Sequence, residues 1–155
     1  MNRYTVLALR VVLACGLVGS LLVQAVMVPL LAADLDEAPA GVRWPVVAIV
    51  LLGIVTIQVG MVCVWRLLTL VREDTVFSRA SFRYVDAIVV AAATASALLF
   101  ALGVVLAPGE DVAPGVVLLV GGAGGLVGGV ALLMVVMRSL LVQATELRAE
   151  LDAVI

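Results

Sequence analysis

The 155-residue chain has no lysine, no histidine, two cysteines and charged side chains at only 13% of positions. An ordinary soluble domain is about a quarter charged, so this chain has too few polar residues to cover a water-facing exterior. Without histidine, the commonest general base and metal ligand are gone. Cys15 and Cys63 lie in separate apolar stretches. That excludes a Cys-x-x-Cys redox motif and leaves them as small packing residues. No carboxylate cluster has the makings of a metal site at the membrane surface. These absences predict a non-enzymatic protein with no catalytic residue, no cofactor and no metal. The nine basic residues are all arginine and the formal net charge is −2, which gives no nucleic-acid signature. Using arginine alone fits a genome rich in G and C better than a mechanism.

What fills the chain instead is apolar, at 65% of residues. Uncharged runs extend over about 11–33, 44–65, 87–107 and 115–137. About 20 apolar residues cross a bilayer, so the expectation is four transmembrane helices in a single membrane domain, 1–155, with no room for a further soluble domain. Barrel strands would alternate polar and apolar residues, which these runs do not. The first run is too long for a signal peptide, and Leu31-Ala32-Ala33 lacks the small residue of a cleavage site, so the segment is expected to be retained. Arg43 and Pro45 open the second run, Arg66 closes it, and Pro108-Gly109-Glu110-Asp111 ends the third.

Arg3, Arg10, Arg66, Arg72, Arg79, Arg83, Arg138 and Arg148 share one side of this topology, and Arg43 alone lies on the other. By the positive-inside rule both termini face the cytoplasm of a bacterial plasma membrane, with a cytoplasmic hairpin at 66–86 and a helical tail at 138–155. Asp34, Asp36, Glu37, Glu110 and Asp111 make the outer face small and acidic. The first three are expected to cap and solvate a turn. In the hairpin, Ser78 is a candidate N-cap, with Phe77 and Phe82 at the spacing of a hydrophobic staple. The second and third helices are then expected to project past the bilayer, with Arg72, Arg79 and Arg83 either snorkelling to phosphates or docking a partner.

After Arg138, Leu140, Ala144, Leu147, Leu151 and Val154 form a heptad-like apolar stripe. Either the fourth helix projects and packs on the second and third, or the stripe receives another protein, with Leu147, Leu151 and Val154 as the docking residues. Within the membrane, Gly121, Gly125 and Gly129 form a small-residue row, with Gly124 and Gly128 beside it. A matching ridge runs through Ala93, Ala97 and Ala101, with Ala91 and Ala95 as well, and predicts close packing of the last two helices. Homo-oligomerisation through the glycine row is the alternative. Gln24 and Gln58 are the most polar side chains of the first two spans, suited to hydrogen bonds between helices. No ionisable residue lies in a span core, which argues against an ion-coupled transporter. The glutamate in the first helix of small multidrug-resistance exporters has no counterpart between Val11 and Ala33.

The segments Leu70-Val71-Arg72-Glu73-Asp74-Thr75-Val76-Phe77-Ser78, with Arg83 downstream, and Glu146-Leu147-Arg148-Ala149-Glu150-Leu151-Asp152-Ala153-Val154-Ile155 resemble a bacterial family of small four-span membrane proteins, domain of unknown function 2975. Members are commonly encoded beside a Cro/CI-like helix-turn-helix regulator, so the resemblance implies a cytoplasmic regulator as partner and supplies no substrate. The leading expectation is a membrane sensor or tether, a signalling role built on protein–protein interaction. The rivals are a small export subunit for apolar molecules, with Gln24 and Gln58 on its pathway, and a structural accessory subunit of a membrane complex.

Overall fold

The computed structural model describes residues 3–72, 79–108 and 112–154, and for residues 3, 71, 72 and 79–81 it describes the backbone alone. The regular structure among the described residues is entirely helical: α1 (Arg3–Asp34), α2 (Ala40–Arg72), α3 (Arg79–Leu106) and α4 (Pro114–Val154). Each contains a stretch with a mean hydropathy between 2.3 and 2.6. At about 1.5 Å per residue the helices measure roughly 42 to 62 Å, well beyond the ~30 Å of hydrocarbon in a bilayer. The chain is a multi-pass membrane protein, an all-α four-helix bundle.

The helices outrun the apolar stretches that announce them. Hydropathy marks where hydrocarbon begins, whereas a helix stops only where its backbone finds other partners. α2 therefore starts at Ala40, ahead of Trp44, and Pro45 lies inside it rather than at its opening. The Pro39 carbonyl starts this helix by accepting from the Val42 and Arg43 amides at 2.8 and 3.1 Å. Residues 35–39 make a tight turn, fastened by an ion pair between Arg43 and Asp36. Asp36 thus has a cationic partner in a turn expected to be merely solvated. At the other end of the molecule lie Arg10, Arg66, Arg83 and Arg138; this is the arginine end.

The bundle is open. α1 touches α2, α2 touches α3 and α3 touches α4, and no other pair of helices is in contact among the described residues. The accessible area is 10679 Å², against about 7,400 Å² for a compact soluble chain of this mass. No side chain is completely buried among the described residues. Apolar residues such as Leu118, Leu126 and Leu132 lie exposed along α4, the pattern of a surface solvated by lipid.

Two seams position the rest. Between α3 and α4, the buried Ser96 hydroxyl donates to the Gly124 carbonyl at 2.8 Å. A Cβ built on Gly128 would lie 2.8 Å from Ser96 Oγ, and one on Gly124 would lie 3.2 Å from Leu99 Cβ. The row facing α3 is therefore Gly124, Gly128 and the buried Ala131. At Gly121, Gly125 and Gly129 a Cβ would meet nothing within 4 Å, so these three look away from the seam. Ala93, Ala97 and Ala101 are exposed, whereas Ala91 and Ala95 are half-buried. The small-residue packing is real but turned by one position on each helix, because Ser96 needs to reach a carbonyl of α4. Between α1 and α2 the contact is smaller and polar: Gln58 Nε2 donates to Ser20 Oγ at 3.1 Å and to Gln24 Oε1 at 2.9 Å.

Candidate functional site

The sequence-specific polar groups gather at the arginine end. Arg138 Nη2 donates to Asp86 Oδ2 at 2.8 Å, and Arg138 Nε also pairs with Asp86 Oδ1. One charge-assisted hydrogen bond within this ion pair ties α4 to α3 where α4 leaves its apolar stretch. From this pin Arg79 is only seven residues back along α3, while Val154 is sixteen residues further along α4. The tail overreaches its neighbour. Every residue from Glu146 to Val154 is exposed, with Leu147, Leu151 and Val154 at 61%, 66% and 85%. Among the described residues the tail's apolar stripe packs on neither α2 nor α3.

Beside the pin, Arg83 is exposed and makes no ion pair among the described residues. It lines a recess of about 540 Å³ with Asp86, Val55, Val59 and Val90. A second, apolar cleft of about 440 Å³ runs between α2 and α3, floored by Gly53, Gly60, Ala91 and Ala95 and closed on one side by Val127 of α4. Thr56, its one hydroxyl, donates to the Gly53 carbonyl at 2.7 Å, so it offers no spare donor to an occupant. Neither Gln24 nor Gln58 lines this cleft.

Three of the four helices, α2, α3 and α4, lie within residues 30–155, the stretch matched by the profile of a protein family of unknown function, DUF2975. The chain belongs to that family. No curated protein and no solved structure matches the chain. Membership of DUF2975 agrees with the family likeness of the hairpin and tail segments and adds no chemistry.

The structure of this DUF2975 protein brings some of the expected residues together and leaves others apart. Arg72 ends α2 and Arg79 begins α3, with side chains outside the described residues. Phe77 and Ser78, two members of the expected staple, also fall outside them, and Phe82 is half-buried on α3. Gln24 and Gln58 meet across the α1–α2 seam, as interhelical partners should. Sequence reasoning missed the Asp86–Arg138 pair, although the signal was available: both residues sit at the same end of neighbouring antiparallel spans. It also missed Ser20 and Ser96, since hydroxyls in helices usually satisfy themselves on the preceding turn. Arg10 was counted for topology only. It lies with its guanidinium 5.8 Å from the Trp65 ring centre and donates to Thr69 Oγ1 at 3.2 Å.

Proposed function

We propose that this DUF2975 protein is a non-enzymatic membrane sensor or tether whose α4 tail docks a protein partner. The observation that carries the proposal is the exposed stripe of Leu147, Leu151 and Val154 on a helix that extends beyond its neighbours. A helix with a free apolar stripe and polar flanks is a common half of a helix-in-groove interface. The arginine bias favours a cytoplasmic location for this end. The partner of choice is a small helix-turn-helix regulator, following the family resemblance. Arg83, with Arg72 and Arg79 nearby in sequence, supplies polar contacts at the base of the tail. A transport role for apolar molecules draws on the 440 Å³ cleft, but the intramembrane glutamines stand outside it.

The test is affinity capture from native membranes using the full chain and its Leu147→Glu/Leu151→Glu variant. A soluble partner is expected with the parent chain and should fall by at least tenfold with the variant. Identical partner sets would sink the docking role, and recovery of membrane proteins alone would favour an accessory subunit.

A further inference from the structure

Two arginines at the mouth of the α1–α2 seam have no anionic partner among the described residues, and this distinguishes them from two others. Arg43 is neutralised by Asp36 and Arg138 by Asp86. Arg10 and Arg66 pair with no carboxylate among the described residues. Arg10 is half-buried, and among the described residues its Nε is buried without a hydrogen-bond partner while its guanidinium donates to the Thr69 hydroxyl. Its guanidinium rests over Trp65, and Trp65 and Arg66 line one groove. Cations held at the edge of hydrocarbon without a counter-charge are costly unless something anionic joins them.

The space beneath them is apolar. A groove of about 390 Å³ descends between the helices, lined by Ala14, Leu17 and Val18 of α1 and by Val62, Trp65 and Arg66 of α2. Arg10, Ala14, Leu17 and Val18 fall on one face of α1, at helical spacings of four, seven and eight residues. The arrangement is a cationic mouth, a tryptophan at the interface and an apolar trough running toward the membrane centre. Tryptophan favours the headgroup level, and arginine is suited to phosphate because its fork donates in pairs.

We propose that this groove binds one anionic phospholipid from the leaflet at the arginine end. Arg10 and Arg66 take the phosphate, Trp65 flanks the glycerol region and one acyl chain lies along Leu17, Val18 and Val62. The bound lipid would neutralise Arg10 and fill the groove in the smallest seam. This site does not depend on the tail's partner, because its lining comes from α1 and α2 alone and α4 contributes nothing to it.

Full-length protein is reconstituted in nanodiscs containing equal amounts of phosphatidylglycerol and phosphatidylcholine, then released and read by native mass spectrometry for retained lipid. Phosphatidylglycerol is expected to be retained over phosphatidylcholine by about tenfold or more, given roughly fivefold per cation. Arg10→Gln/Arg66→Gln should bring the ratio close to one, and Arg66→Lys should preserve part of it. Arg148→Gln, which removes one charge from the exposed tail, should leave the ratio unchanged. Val62→Trp should lower retention by filling the trough while both cations remain. Equal retention of the two lipids overturns the proposal, as does an unchanged ratio in the double variant when its helical circular dichroism matches the parent. Displacement by soluble glycerol phosphate as effective as displacement by lipid would also overturn it, since that marks a phosphate site without a chain.

Discussion

Between α3 and α4 the backbones approach through Gly124 and Gly128, and one buried hydroxyl crosses to a carbonyl. Between α1 and α2 the contact is smaller and the link is a trio of side chains, Gln58 reaching both Ser20 and Gln24. Lipid tails are as apolar as leucine, so neither seam gains from expelling water, and each has to rely on close packing or on hydrogen bonds. The α3–α4 seam relies mainly on shape and the α1–α2 seam mainly on polarity. A seam based on shape fails when volume is added, whereas one based on polarity fails when a donor is removed.

Adding volume should have the largest effect. Gly128→Val would drive a methyl group into Ser96, whose hydroxyl cannot turn away without losing Gly124. The expected cost is about 1–3 kcal/mol, the usual range for overpacking a fitted contact, measured by reversible unfolding in mixed micelles. The same change at Gly121, where space is open, should cost little, and equal losses at the two positions would show that the seam is not fitted by shape. Removing polarity comes next. Gln58→Leu deletes both bonds to α1 and should cost about 1 kcal/mol, at roughly 0.6 per membrane hydrogen bond. It should also increase the exchange of α1 amides, read by hydrogen–deuterium exchange; unchanged protection would show that packing alone holds α1. The smallest effect is expected at Gly16→Ala. Its Cβ would meet Met61 Sδ at 2.9 Å, but a thioether end can swing aside, so the loss in the same unfolding assay should stay below about 0.5 kcal/mol. A larger loss would reveal a fitted contact on this seam too.

The contrast also explains what the sequence made legible. The four spans could be read because an uncharged run of 20 or more residues has few other uses. The projection of the second, third and fourth helices past their apolar runs could be read as well, but the start of α2 at Ala40, ahead of Arg43 and Pro45, could not. The glycine register was ambiguous for a geometric reason: Gly124 and Gly125 point about 100° apart, and both begin credible small-residue rows. Only the reach of Ser96 to the Gly124 carbonyl decides between them. At the candidate site, the stripe of Leu147, Leu151 and Val154 was visible from spacing, but its freedom was not. That shows only in the folded chain, where all three side chains stand exposed. The Arg10–Trp65 contact joins positions 55 residues apart in sequence, and no local pattern reports it.

α4 is a single helix from Pro114 to Val154, pinned past its middle where Arg138 holds Asp86. Such an element behaves as a lever with its fulcrum at the membrane edge. The arm from Arg138 to Val154 is about 24 Å long, so a span tilt of about 10° moves the tip by roughly 4 Å. Bilayer thickness is one of the quantities that sets span tilt. A change in the membrane that leaves every intramembrane contact intact would still displace the tip by about the width of a side chain.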